Sequence, residues 1–145
     1  MKKNLNISTG FIALLGCIIL CAGTLSTAEA AVRINEFSAS NSTYKDSSGQ
    51  ASDWIELFND SNESIDLGGC YLTDTPNELT RWQFPNPTTM SANSYLVVFA
   101  DSTTTPPIAG RELHTSFSLS KTGEYLALVD KDGTTILSEY APKYP

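Results

Sequence analysis

His114 is the single histidine of this 145-residue chain, and histidine is the side chain best suited to metal ligation or proton transfer near neutral pH. Either chemistry needs partners. Leu113-His114-Thr115 lies in an alternating stretch, so His114 points away from the side that Leu113 takes, toward solvent, and a structural role is expected for it. The carboxylates Glu36, Asp53, Glu56, Asp60 and Asp74 could converge on a hydrolytic pair or a calcium ion, but no spacing forces them together. Asp130-Lys131-Asp132-Gly133 begins like a calcium loop, then lacks the later ligands and the closing glutamate. A hairpin turn accounts for its Asp and Gly. Trp54 and Trp82 could form a sugar-stacking platform, yet each sits in an alternating apolar run and reads as core. The chain has no serine nucleophile elbow, no phosphate-binding glycine loop and no Cys/His metal spacing. No catalytic, cofactor-binding or metal residue is therefore assigned, and no cofactor is expected.

These residues sit on strands. The densest signal is Asp53-Trp54-Ile55-Glu56-Leu57-Phe58-Asn59, with Ile55 and Leu57 on one side and Trp54, Glu56 and Phe58 on the other. Large apolar groups on both sides predict an inner strand covered on both faces. A buried Glu56 would then need a partner; Glu36 and Glu56 are expected to accept hydrogen bonds, with Arg81 or Arg33 nearby. Val32 and Ile34 alternate inward in the first strand, and Ser38 to Ser52 is a polar loop, long for a hairpin. Ile65 to Asp74 carries a bulge or turn at Gly68-Gly69. Trp82 and Phe84 share a side of a short strand stopped by Pro85 and Pro87. Tyr95 to Ala100 reads as a central strand. Alternation from Leu113 to Leu119 and a hairpin through Asp130–Gly133 complete the set. No helical period follows the N-terminal region. The pattern is all-β, an immunoglobulin-like β-sandwich of seven or eight short strands.

The N-terminus has another purpose. Lys2 and Lys3, the apolar run Phe11–Cys21 and the small-x-small site Ala28-Glu29-Ala30 describe a secretory signal peptide over residues 1–30, cut between Ala30 and Ala31. Leu14-Leu15-Gly16-Cys17 is similar to a lipobox, which makes lipidation at Cys17 the lesser reading, because apolar residues continue beyond it. The mature domain, residues 31–145, is long enough for one core and has no transmembrane segment. Removing Lys2, Lys3 and Glu29 leaves seven basic and fifteen acidic side chains, a formal charge of −8, which disfavours broad nucleic-acid binding. Cys17 and Cys21 leave with the signal. Cys70 then has no intrachain partner, and a buried, inert thiol is expected.

The blocks INEF at 34–37, DWIELFN at 53–59, IDLGGCYLTD at 65–74, WQFP at 82–85, SYLVVFA at 94–100, LHTSFSLS at 113–120 and GEYLALVDKDG at 123–133 resemble the lamin tail domain, in its bacterial secreted branch. The resemblance implies a non-catalytic immunoglobulin-like sandwich and marks Glu36, Trp54, Glu56 and Trp82 as structural motif positions. Cys70 departs from it, standing where the family commonly has Trp. Bacterial relatives run on past the point corresponding to Pro145. The resemblance therefore implies a C-terminally truncated domain lacking its last strand, with an open sheet edge. The expected function is an exported, secreted or cell-surface module for protein binding, surface attachment or spacing, with an unidentified protein or surface partner. The alternatives are an accessory domain of an exported hydrolase or nuclease encoded downstream, and a glycan- or calcium-binding module.

Overall fold

The computed structural model describes residues 31–145. The signal peptide expected over residues 1–30, with Cys17 and Ala30, lies outside the described residues. Among the described residues there is no helix, and ten strands run in the order β1 (Val32–Ser38), β2 (Asp53–Asn59), β3 (Ile65–Asp66), β4 (Tyr71–Thr73), β5 (Trp82–Gln83), β6 (Thr89–Met90), β7 (Tyr95–Ala100), β8 (Leu113–Thr115), β9 (Leu126–Val129) and β10 (Ile136–Tyr140). The count exceeds seven or eight because the Ile65–Asp74 segment divides into β3 and β4 at Gly68-Gly69, and because β6, two residues long, is too short for a period-2 pattern to register. Gly69, at φ +90°, turns the chain between β3 and β4, a conformation that glycine adopts without strain.

The architecture is an immunoglobulin-like sandwich. One sheet has the order β1-β2-β7-β8, the other β10-β9-β4-β5, and β3-β6 form a small separate ladder. All pairs are antiparallel except β7 and β8. The two inner faces meet in one core. Ile34, Ile55, Leu57, Val98 and Leu113 come from the first sheet, and Leu72, Trp82, Leu126 and Leu128 from the second. Burying each such aliphatic side chain contributes about 1.5–3 kcal/mol. Trp82 is core as expected and meets Phe84 edge-on at 4.8 Å.

Two expectations about faces change. β2 is an inner strand of its sheet, but only Ile55, Leu57 and Asn59 are buried; Trp54, Glu56 and Phe58 are half-buried on the outer face. The strand buried along its whole length is β9, whose outer residues Ala127 and Val129 pack with Tyr71 and Leu79. The second change lies in β1. A register shift between Ile34 and Glu36 is a β-bulge, which inverts the side-chain alternation beyond it. Glu36 is thereby exposed, and Phe37 instead leans on the core.

Candidate functional site

The outer face of the first sheet is built in rows set by register. Ser38, Trp54, Phe99 and His114 form one row; Glu36, Glu56 and Val97 the next; Arg33, Phe58 and Tyr95 the third. The third row is an aromatic ledge. Phe58 and Tyr95 stack at 4.6 Å, Arg33 lies over Phe58 at 4.9 Å and also pairs with Asp60, and Tyr95 is 58 % exposed. In the middle row Glu36 and Glu56 stand directly opposite, an arrangement that like charges disfavour. Asn35 Nδ2 donates to Glu56 at 2.8 Å. Neither glutamate has the arginine partner expected from the sequence. Arg33 is taken by Asp60, and Arg81 lies 2.7 Å from Asp74.

The first row is covered by the loop of residues 39–52. Asn41 organises it, its amide oxygen accepting from the Thr43 and Tyr44 backbone N–H groups while its Nδ2 reaches the Ser52 carbonyl at 2.8 Å. Tyr44 is thereby laid on Phe99 at 5.7 Å and edge-on to Trp54 at 6.1 Å. Trp54 is thus half-buried beneath a loop rather than in the core. Phe99 in turn stacks on His114 at 5.5 Å.

At the end of this row the loop, the end of β7 and the start of β8 enclose a cleft of about 600 Å³ lined by Asp46, Asp101, Arg111, Glu112 and His114 among others. His114 Nδ1 is 2.8 Å from Asp101 Oδ2. A carboxylate only accepts, so this contact places a proton on Nδ1, and Nε2 is turned toward Glu112. Nε2 lies 3.5 Å from Glu112 Oε2. Asp46, Glu112 and His114 each bring one ligand atom into a group whose members all lie within 4.8 Å of one another. The Ser47 hydroxyl and backbone N–H hold Glu112 below the usual carboxylate range against a smaller effect of burial. The Ser48 hydroxyl, then the Gln50 N–H, do the same for Asp46. Both are therefore ionised at neutral pH, and three lone-pair donors converge. A bound cation would satisfy them.

Sequence reasoning placed His114 on the outward side, where it is, but did not assemble this cluster. Asp46 and His114 are far apart in the chain and meet only because the 39–52 loop folds over β7 and β8. The Glu112-Leu113-His114 spacing, which puts a carboxylate and an imidazole on one side of a strand around an inward leucine, was the available signal. Of the five carboxylates considered for a shared site, Glu36 and Glu56 pair across strands, while Asp60 and Asp74 serve the two arginines. Asp53 caps the loop by accepting from the Asn41 N–H at 3.2 Å. Asp130–Gly133 closes the β9–β10 hairpin, with Gly133 N–H donating to the Asp130 carbonyl at 2.9 Å. Cys70 is buried and has no disulfide partner among the described residues.

A family model described as Lamin Tail Domain matches residues 26–142, most of the chain. No curated protein matches it.

Proposed function

Because the chain belongs to the lamin tail domain family, we propose that it is an exported, non-catalytic immunoglobulin-like module that holds a protein partner on the outer face of its first sheet. The observation that carries this reading is the Arg33–Phe58–Tyr95 row. It presents the exposed Tyr95, stacked on half-buried Phe58, from the inner strands β2 and β7, with the Arg33 guanidinium of edge strand β1 over Phe58, and Tyr, Phe and Arg are the side chains that protein interfaces favour. The adjoining Glu36 and Glu56 suit a partner segment that sets basic side chains beside an apolar one. Among the described residues no helix is long and apolar enough to cross a membrane. Export rests on the N-terminal signal pattern, and cleavage between Ala30 and Ala31 is read directly by sequencing the N-terminus of the exported protein.

A photoreactive residue in place of Tyr95, used in cells that make the protein, tests the reading. Discrete protein adducts are expected from position 95 and none from the same residue placed at Thr134, in the β9–β10 turn. Equal labelling at both positions, or none at 95, overturns the docking face. Robust phosphodiester or phosphomonoester turnover by the purified protein, lost in His114→Ala, overturns the non-catalytic reading.

A further inference from the structure

The geometry points to a binding site for a divalent transition-metal ion of the zinc class, held by His114 Nε2, Glu112 and Asp46 at the mouth of the 600 Å³ cleft, with Asp101 positioning the imidazole. This goes beyond the docking role and stands independently of it, on the opposite end of the same sheet face.

Four observations carry it. The donors are one imidazole nitrogen and two carboxylates, a mixed nitrogen–oxygen set that suits zinc-class ions, whereas calcium prefers six to eight oxygens. The 3.5 Å between His114 Nε2 and Glu112 Oε2 is long for a hydrogen bond. It matches the edge of a coordination tetrahedron, since metal–ligand bonds of roughly 2.0–2.2 Å set neighbouring ligand atoms about 3.4 Å apart. Asp101 fixes the tautomer that frees Nε2, the arrangement in which a carboxylate orients a metal-bound histidine. The cleft leaves room for a fourth ligand from solvent. The ligands also come from separate segments: Glu112 precedes β8 and His114 lies within it, while Asp46 belongs to the 39–52 loop. A bound ion ties that loop to the sheet, so occupancy stiffens the rim above Trp54 and Phe99.

The test uses chelator-stripped purified protein and zinc ion alone. Equilibrium dialysis is expected to give one more equivalent of zinc in the parent than in His114→Ala, and zinc is expected to raise the melting temperature of the parent and not of the variant. Glu112→Gln, an exposed side chain whose loss leaves the core untouched, is expected to weaken binding at least tenfold, which keeps the test valid if His114→Ala folds poorly. Asp101→Asn should retain the stoichiometry, weaken affinity about 10- to 100-fold and alter the visible absorption of the cobalt-substituted protein, a change that a purely structural role would not produce. Equal zinc uptake by parent, His114→Ala and Glu112→Gln overturns the site. So does a parent whose melt responds to calcium as strongly as to zinc, or to neither. Photolabelling at position 95 is unaffected by these substitutions, so failure here and failure of the docking face are separately visible.

Discussion

The Tyr144 hydroxyl lies 3.0 Å from the Glu124 carboxylate and 3.0 Å from the Ser120 carbonyl, one proton facing two acceptors beneath the sandwich. The ring is buried against Phe37 at 4.5 Å, and the Tyr144 N–H donates to the Glu124 carbonyl at 2.9 Å. Burial first, and Glu124 second, push the phenol above its ordinary range. Tyr144→Phe is expected to cost about 1.5–2 kcal/mol by losing a hydrogen bond to a charged acceptor, and Tyr144→Ala about 3–5 kcal/mol by opening a cavity. Gly123→Ala should act in the same direction, because Gly123 sits at φ +84° and an added Cβ would fall 2.2 Å from the Tyr144 carbonyl oxygen. Urea unfolding of the three variants measures all three; a Tyr144→Phe protein as stable as the parent would show that the hydroxyl contributes nothing net.

Arg81 is the counter-charge for Asp74, at 2.7 Å, with the Asp74 side chain 9 % and the Arg81 side chain 35 % exposed. Burial raises the Asp74 carboxyl and Arg81 opposes that rise. Arg81→Gln leaves the carboxylate without its cation and is expected to cost about 1–3 kcal/mol at neutral pH, less than a fully enclosed pair because solvent reaches the guanidinium. The pH dependence has a definite sign. A carboxyl raised in the fold favours folding below its unfolded value and loses that contribution as pH climbs through the folded value. Without Arg81 the folded value rises further, so the deficit of Arg81→Gln against parent should shrink on acidification through the carboxylate range. A deficit independent of pH would place its origin in the lost contact between Arg81 and the Phe117 ring, 5.7 Å away.

Cys70 Sγ is buried and 3.8 Å from Asp130 Oδ1. Burial, then the Asp130 charge, push its thiol up to about 11. The thiolate is the reactive form. In protein with Cys17 and Cys21 replaced by Ala, a disulfide reagent at pH 8 should modify Cys70 at least about a hundredfold more slowly than a free cysteine, and at full speed in denaturant. Fast labelling of the folded protein would contradict the burial.

The inward faces of β2 and β7 and the Trp82–Phe84 pair at and just after β5 were legible because dense apolar residues at period 2 leave few alternatives. Three features were not. Simple alternation puts Glu36 on the side of Val32 and Ile34, and only the bulge at Asn35 turns it outward and Phe37 in. That single extra residue changes no residue type the eye can catch. β6 is two residues between polar neighbours, beyond the reach of any periodicity. The covering of Trp54 depends on Tyr44, carried over the sheet by a loop whose composition reads only as surface. The Asp46–Glu112–His114 cluster is only half visible: the Glu112-Leu113-His114 spacing sets two members on one side of a strand, while Asp46 arrives on a folded loop that leaves no spacing in the chain.

Asp132 gives the acid limb of stability a specific contributor. Its carboxylate accepts from the Thr135 hydroxyl at 2.6 Å and from the Thr134 and Thr135 N–H groups at 2.8 Å each, closing the β9–β10 turn. The Thr135 hydroxyl first, then the two N–H donors, hold it down to about 2. A carboxyl depressed in the fold stabilises above its unfolded value and loses that contribution as pH falls through the folded one. Asp132→Asn keeps an amide oxygen to accept from the turn but removes the charge that strengthens those bonds. The variant should therefore be less stable than the parent at pH 6, and the gap should close as pH falls from about 4 to about 2. Chemical denaturation at a series of pH values reads this directly. A gap that persists unchanged at the lowest pH would mean that the turn geometry, and not the ionised carboxylate, supplies what Asp132 contributes.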